Sequence, residues 1–204
     1  AFAHVREKYG LPKDYILFVG HIEPKKNVNV LLKAYARCLQ EQRNVSQKLV
    51  VAGTKGWGYA EALRTAQECG VMRHVTFPGF VEREDLPVLY ANADLFVFPS
   101  LYEGFGLPPL EAMASGVPVI VSDRGALPEV TADAALHIDP SDVGALAAAM
   151  TQVISDEALQ RQLVTKGRER SKEFTWRRCV EQTDAIYAHV LSYERAGPVR
   201  LPAE

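Results

Sequence analysis

Short apolar runs alternate with longer amphipathic stretches along most of the chain. The runs predict strands at Ile16–Val19, Lys48–Ala52, Val75–Pro78, Leu95–Phe98, Val119–Val121 and Leu136–Ile138. The amphipathic stretches predict helices at Val28–Leu39, Ala60–Glu68, Asp85–Ala91, Pro109–Ala114, Asp142–Ile154, Glu157–Phe174 and Trp176–Tyr193. Apolar strands joined by helices indicate a parallel sheet that is covered on both faces. The pattern therefore predicts an α/β fold with an open parallel sheet.

Four of the predicted strands are followed by loops that contain glycine. These loops cover residues 20–26, 53–58, 79–81 and 100–111. Ligands of open parallel sheets bind beyond the carboxyl ends of the strands. We therefore expect the four loops to line one crevice.

The fourth loop carries two carboxylates, Glu103 and Glu111, on either side of Gly104 and Gly106. Glycine lets the backbone approach a ligand because it has no Cβ. Amides and the dipole at a helix start favour phosphate, whereas carboxylates suit hydroxyl groups. Together these groups are typical of a sugar-nucleotide site. The alternative is that Glu111 only satisfies amides at the helix start and Glu103 is a solvated loop residue.

Composition sets bounds on the class of protein. The chain has 204 residues, enough for one domain with its own core. Its formal net charge of −2 gives no electrostatic case for binding nucleic acid. Three widely spaced cysteines form no zinc or disulfide pattern, so a reducing compartment is expected. We expect neither a signal peptide nor a transmembrane segment, because no apolar run approaches about 18 residues.

Several segments, in their order, resemble glycosyltransferase family 4, whose members are retaining enzymes of the GT-B fold. Glu103-Gly-Phe-Gly-Leu-Pro-Pro-Leu-Glu111 resembles the family signature. Residues 15–27 resemble the family's first strand and phosphate loop, and residues 49–53 resemble its second strand and turn. Residues 75–81 are similar to its base-binding strand and loop, and the segments 114–122 and 127–130 follow in the family's order. The resemblance spans residues 5 to 194 and covers only the C-terminal, donor-binding half of such an enzyme.

The resemblance implies a domain organisation. It identifies residues 1–194 as a Rossmann-like nucleotide-sugar-binding domain whose last helix is 176–193. The tail, residues 195–204, is expected to be disordered because it contains two prolines and follows the last helix. The chain opens at Ala1 without a methionine, as a domain of a longer protein would. The N-terminal acceptor-binding domain of the family is expected to be absent.

The resemblance also assigns roles within the signature loop. Glu103 would lie beside the donor sugar and position it or stabilise the transition state, which makes it the candidate catalytic residue. Glu111 would contact the ribose hydroxyls. Backbone amides would hold sugar hydroxyls and phosphate, and the residues concerned are Gly104, Phe105, Gly106 and Leu107.

Outside that loop, Lys26 matches the lysine that neutralises the diphosphate, with Lys25 as a second candidate. His21 stands where the family often has an arginine, and a histidine is mostly neutral at pH 7. The further donor-binding candidates are Lys55, Phe80 and Val81, the last two through backbone groups that meet the base. Asn27 is a candidate cap for the following helix, and Arg124 a candidate replacement for the missing positive charge.

The implied reaction is transfer of a sugar from a nucleotide diphosphate sugar to an acceptor hydroxyl with retained configuration. The pattern Gly-x-Ile-Glu-Pro-x-Lys-Asn resembles branches that use GDP-mannose to build O-antigen or other surface polysaccharides, and a UDP-sugar is the alternative donor. No cofactor or metal site is expected, since lysine and amides bind the diphosphate and no Asp-x-Asp motif occurs.

The expected acceptor is a glycan or lipid-linked glycan, bound through the missing domain. The expected location is the cytoplasm. A position at the inner face of the membrane, through a peripheral contact of the full-length protein, is left open. The chain alone is expected to bind nucleotide weakly and to turn over nothing. The alternatives are another GT-B-like enzyme, namely a nucleotide-sugar epimerase or a phosphorylase, and a non-catalytic nucleotide-binding domain.

Overall fold

The computed structural model describes residues 2–41 and 46–195. Its strands are β1 (Tyr15–Val19), β2 (Lys48–Ala52), β3 (Val75–Gly79), β4 (Leu95–Phe98), β5 (Val119–Ser122) and β6 (Leu136–Ile138). They form a six-stranded sheet in the order β3-β2-β1-β4-β5-β6. Each neighbouring pair of strands is parallel. The prediction of a Rossmann-like open parallel sheet is confirmed.

The central strands β1 and β4 consist of apolar and aromatic residues, as expected for strands that are buried on both faces of the sheet. In β1, Tyr15 to Phe18 are 0% exposed, and Leu95 to Phe98 of β4 are equally buried. The rings of Phe18 and Phe98 stack across the β1–β4 pair, with centroids 5.8 Å apart. Strand β3, at the edge, is half-buried along its length. The core of the molecule therefore lies around β1, β4 and their immediate neighbours.

Nine α-helices are found in the part of the chain that the structure describes. They are α1 (Phe2–Tyr9), α2 (Val28–Glu41), α3 (Tyr59–Glu68), α4 (Leu86–Ala91), α5 (Leu107–Ala114), α6 (Leu127–Thr131), α7 (Val143–Ser155), α8 (Glu157–Ser171) and α9 (Trp176–Arg195). Helix α2 contacts α3 and α7, whereas α5 contacts α4, α6 and α8. Strands β1 to β3 follow one another from the centre of the sheet to one edge, and β4 to β6 follow one another from the centre to the other edge. Because crossovers between parallel strands are right-handed, the two groups of helices lie on opposite faces of the sheet.

By its contacts the chain divides into two units, Ala1–Ser171 and Lys172–Glu204. The first holds the sheet and α1 to α8, and the second holds α9. Helix α9 contains the predicted helix 176–193 and ends at Arg195. The remaining residues of the expected tail, 196–204, lie outside the described residues. A single domain over 1–194 stays a prediction.

The strand order reverses between β1 and β4, which are neighbours in the sheet although β2 and β3 separate them in the chain. The chain leaves β1 and β4 toward opposite faces, a topology that places a crevice between the two loops at the carboxyl edge. A hydrogen bond from the amide of Leu101 to the carbonyl oxygen of Lys25, at 2.7 Å, bridges them. This reversal is where open α/β sheets bind ligands.

Asn27 joins the loops on both sides of that crevice. Its side-chain amide donates to the carbonyl oxygens of Pro99, at 3.1 Å, and Pro140, at 2.7 Å. Its backbone has a φ of 59°, in the left-handed region that asparagine tolerates. The amide donors are thus turned toward the loops after β4 and β6, while the backbone carbonyl oxygen of Asn27 accepts from the amides of Val30, at 3.1 Å, and Leu31, at 3.4 Å. Asn27 therefore stands at the cap position of α2 and contributes its backbone oxygen there.

We predict that Asn27→Asp lowers the free energy of unfolding by about 3 kcal/mol, because two hydrogen bonds are lost and a carboxylate oxygen then faces two carbonyl oxygens. Urea denaturation measures the loss. Asn29→Asp is the matched control, since it adds the same charge two residues away, and its effect should stay within about 0.5 kcal/mol. Equal losses in both variants would contradict the role given to Asn27.

Candidate functional site

The loops after the first four strands meet at the carboxyl edge of the sheet, as expected from the topology. Backbone amides of one loop donate to carbonyl oxygens of the next. The bonds run from Gly20 to Ala52 at 3.0 Å, from Ile22 to Thr54 at 3.1 Å, from Gly53 to Gly79 at 2.8 Å and from Leu101 to Lys25 at 2.7 Å. The crevice therefore has walls whose positions depend on one another.

An ion pair between Lys26 and Glu103 crosses the crevice. Lys26 Nζ lies 2.5 Å from Glu103 Oε1, and both side chains are only 13% exposed. Lys26 ends the short 3-10 helix Pro24–Lys26 that follows β1, and its ammonium also lies 4.9 Å above the ring of Phe98. Glu103 is therefore not a solvated loop residue. Because the pair is largely shielded from water, salt screens it less than a surface pair.

Two other candidate lysines have partners of their own. Lys25 is exposed and lies 3.3 Å from Glu23, inside its own loop. The ammonium of Lys55 lies 5.1 Å above the ring of Tyr59. The structure thus brings Lys26 to the centre of the crevice, while Lys25 and Lys55 remain exposed on loops beside it.

His21 lies against the loop that follows β2. Its Nδ1 atom forms a hydrogen bond with the hydroxyl of Thr54. Its Nε2 atom is so near Gly56 that a Cβ added there would come within 2.6 Å of it. The ring therefore connects the first and second loops, and contact with a phosphate stays a prediction.

Arg124 was the candidate replacement for the family's arginine. Its guanidinium is 3.1 Å from Asp139 and 3.1 Å from Asp123. Its charge is thus directed toward two carboxylates of the loops after β5 and β6.

Glu111 is the fifth residue of α5, because the helix starts at Leu107, two residues earlier than predicted. This places it beyond the N3 position, which belongs to Pro109, so the alternative of an N3 cap is excluded. One carboxylate oxygen, Oε2, accepts a hydrogen bond from the hydroxyl of Tyr90 at 2.8 Å. Glu111 itself is exposed on the helix surface and can accept further hydrogen bonds.

The start of α5 has an unusual set of backbone donors. Pro108 and Pro109 follow Leu107 and contribute no N–H group. The donors at this end therefore come from Leu107 and from the loop before it. Gly106 has a φ of 111°, and a Cβ there would lie 2.7 Å from the side chain of Leu127. The positive φ and this close contact both favour glycine at the turn.

The remaining candidates follow β3. Phe80 is 61% exposed, whereas Val81 is 4% exposed. They come directly after Gly79. The carbonyl oxygen of Gly79 accepts a hydrogen bond from the amide of Gly53, which connects this loop to the loop after β2. Their contact with a nucleotide base stays a prediction.

Sequence reasoning missed Tyr90, the partner of Glu111. Tyr90 lies in α4, which packs on α5. It is 2% exposed, and its ring packs against Phe96 of β4 with centroids 5.6 Å apart. In the sequence it is one of several apolar or aromatic residues of a short helix, and nothing in that pattern connects it to Glu111.

The described residues, 2–41 and 46–195, have neither a membrane-spanning helix nor a cluster of metal ligands. No helix there combines the length and hydropathy needed to cross a membrane. In the same ranges, no group of three or more His, Cys, Asp or Glu side chains is placed to hold a metal ion. The cysteines are free thiols, with Cys38 buried, Cys69 half-buried and Cys179 exposed.

The sequence of the chain is similar to a known protein family and to known proteins. A family model described as glycosyl transferases group 1 matches residues 3–170. O-antigen chain mannosyltransferase B of Escherichia coli is 42% identical over 185 residues, which are 90% of this chain and 48% of that relative. The chain thus spans about half the length of this curated relative.

Solved structures agree with this match. Sucrose-phosphate synthase from Thermosynechococcus elongatus aligns with a TM-score of 0.78 and 32% identity, over 94% of this chain and 49% of that one. The C-terminal domain of a glycosyl transferase group 1 family protein (LpcC) from Francisella tularensis aligns with a TM-score of 0.71 and 25% identity, over 85% of this chain and 92% of that domain. The prediction of a C-terminal GT-B half is confirmed.

We predict that Gly53→Ala lowers the free energy of unfolding by more than about 3 kcal/mol, because two loops touch at this residue. Its φ is 143°, and an added Cβ would lie 1.9 Å from the carbonyl oxygen of Gly20. Thermal and urea unfolding test this. Gly104→Ala is the control, since no atom lies within 4 Å of its would-be Cβ. A Gly53→Ala protein as stable as wild type would contradict the contact.

Proposed function

Since this chain belongs to the glycosyl transferases of group 1, we propose that it is the donor-binding part of a retaining enzyme. That enzyme transfers a sugar from a nucleotide diphosphate sugar to an acceptor hydroxyl. The observation that carries the proposal is the pair of Lys26 and Glu103, which lies where β1 and β4 diverge, with Glu111 on the helix that follows. The same membership argues against the epimerase and phosphorylase alternatives.

The groups in the crevice suit the two halves of a sugar nucleotide. The ammonium of Lys26 and the amides around Phe105, Gly106 and Leu107 are donors for the diphosphate, and they stabilise the charge that develops on it as it leaves. The carboxylates of Glu103 and Glu111 are acceptors for hydroxyl groups of the sugar and the ribose.

The proposed reaction breaks the bond between the anomeric carbon and a diphosphate oxygen and forms a bond to the acceptor oxygen, whose proton passes to an oxygen of the departing diphosphate. Positive charge develops on the sugar while the first bond breaks, and Glu103 lies beside it as the catalytic carboxylate. Lys26 and the amides neutralise the departing diphosphate, so no divalent metal ion is required in this mechanism.

We favour mannose as the sugar and GDP-mannose as the donor, with a UDP-sugar as the alternative. A mannosyltransferase of O-antigen chains is 42% identical to this chain, against 32% for the sucrose-phosphate synthase. The base would be met through backbone groups of Phe80 and Val81. His21, Lys25 and Lys55 are the further side chains proposed to reach the phosphates.

The acceptor and the location follow as proposals from the same relative. We propose a glycan or lipid-linked glycan acceptor in surface polysaccharide synthesis, bound by a part of the enzyme outside this chain. The free cysteines are typical of a reducing compartment, which favours the cytoplasm, at the inner face of the membrane where such an acceptor is found.

Calorimetric titration of the 204-residue chain with GDP, UDP and ADP tests the proposal. We expect selective, weak binding of one nucleotide, with GDP favoured. Glu111→Ala should weaken it by about 100-fold, because the ribose loses the charged acceptor of its hydrogen bonds. Lys26→Met should weaken GDP binding by about tenfold and GMP binding less, since a charged hydrogen bond to the diphosphate is removed.

Lys25→Met is the matched control for that titration. It removes the same charge from the neighbouring residue, which is exposed and paired with Glu23, and should change GDP affinity by less than about twofold. Absence of binding by all three nucleotides would contradict the proposal. Sugar transfer by the isolated chain would contradict the assignment of the acceptor site to another part of the enzyme.

Glu103→Gln gives an independent prediction about the ion pair. We expect the variant to bind GDP about three- to tenfold more tightly, because Lys26 no longer has a competing carboxylate and the diphosphate no longer faces that negative charge. Sugar transfer by a longer protein that contains this chain should fall by about 100-fold, as expected when a group that stabilises the transition state is lost.

Titration calorimetry and a product assay measure the two effects of Glu103→Gln. Glu23→Gln is the control, since it removes a carboxylate from the loop that carries Lys26 but frees only Lys25. Weaker GDP binding in the Glu103→Gln variant would show that the carboxylate supports the lysine in binding phosphate rather than competing for it.

A further inference from the structure

Tyr90 connects the hydrophobic core to the surface of the candidate site. Its ring is buried between α4 and the sheet, against Phe96. Its hydroxyl reaches out to the exposed carboxylate of Glu111, with 2.8 Å between the two oxygen atoms. A buried tyrosine needs a partner for its hydroxyl, and here that partner is a residue with a proposed binding role.

The direction of this hydrogen bond is fixed. Burial, together with the negative charge of Glu111, raises the pKa of Tyr90 well above its ordinary value. The phenol therefore stays protonated and always donates. The carboxylate uses one acceptor position of Oε2 for the tyrosine, which leaves Oε1 and the second position of Oε2 for a ligand.

We propose that Tyr90 is a positioning residue that holds the Glu111 carboxylate in the orientation that receives the ribose hydroxyls of the donor nucleotide. This inference rests on the proposed function, in which Glu111 binds the ribose. A glutamate on an exposed helix face samples several rotamers, and fixing one of them before the ligand arrives removes part of the entropy cost of binding.

The packing around Tyr90 makes it suitable for this role. The ring is 2% exposed and packs against Phe96 of β4, which restricts its rotation, and α4 itself contacts α5, on which Glu111 stands. The position of the hydroxyl thus depends on the core and not on the crevice loops. The ribose acceptor is set by the rigid part of the fold, as precise binding sites require.

Tyr90→Phe tests the inference. The variant keeps the ring in the core and leaves no buried polar atom unpaired, because Glu111 remains exposed to water. We expect the affinity of the 204-residue chain for GDP or UDP to fall about tenfold, as for loss of a hydrogen bond to a charged group. Affinity for the 2′,3′-dideoxy analogue of the same nucleotide should not change, since it has no ribose hydroxyls for Glu111 to receive.

A double-variant cycle shows whether Tyr90 acts through Glu111. In the Glu111→Ala background, Tyr90→Phe should have no further effect on the affinity for GDP or UDP. An additional loss in that background would overturn the inference, because it would show that the hydroxyl contributes in some other way.

Tyr15→Phe is the matched control. Tyr15 is as deeply buried, and its hydroxyl donates to the carbonyl oxygen of Leu89, the neighbour of Tyr90 in α4, at 2.6 Å. Removing it perturbs the same helix without touching Glu111, so the ratio of ribose to dideoxyribose affinity should stay at the wild-type value.

The outcomes separate the inference from the proposed function. If wild type binds GDP or UDP but Tyr90→Phe weakens the ribose and dideoxyribose forms equally, the inference fails and the proposed function stands. The same holds if Tyr15→Phe lowers the ratio as much as Tyr90→Phe does. If wild type binds neither nucleotide, the proposed function fails and the inference fails with it.

Discussion

The pairing of β1 with β4 is the constraint on which the candidate site depends. These strands lie side by side although two other strands and three helices come between them in the chain. Because the chain leaves them toward opposite faces, the topology places a crevice between the loops after them at the carboxyl edge. Lys26 comes from one loop and Glu103 from the other, and only this pairing brings their side chains together. The buried apolar side chains of both strands stabilise the pairing, and the rings of Phe18 and Phe98 stack on each other.

Much of this arrangement could be predicted from the sequence. Strands β1, β4 and β5 contain continuous apolar runs, which are typical of buried parallel strands, and β2 differs only in its first residue, Lys48. Each predicted strand differs from the observed one by at most one residue at an end. The Glu103–Glu111 segment could be predicted as a candidate site because two carboxylates, two glycines and a helix start lie together in the sequence.

Other features depend on tertiary contacts that a sequence pattern does not contain. Asn27 stands before a helix, where asparagine commonly caps, yet its amide donates to Pro99 and Pro140, which are distant in the chain. Helix α1 has Val5 as its buried residue, so its apolar pattern is too weak to predict it. Tyr90 gains its importance only because α4 packs against α5. For Asn27 and Tyr90, the contacts that the side chain makes depend on residues that are distant in the sequence, which a local pattern does not show.

The charges of the crevice suggest how donor binding and chemistry are connected in the proposed enzyme. Three of its candidate cations already have carboxylate partners: Lys25 has Glu23, Lys26 has Glu103, and Arg124 has two aspartates. A diphosphate that binds Lys26 must therefore replace a carboxylate as its partner. The displaced carboxylate is Glu103, which is the group proposed to face the sugar. In this scheme one exchange of partners neutralises the leaving group and, at the same time, releases the carboxylate beside the carbon that reacts. The isolated pair would then be the resting form of the site, and its low exposure would keep both charges in place until the donor arrives.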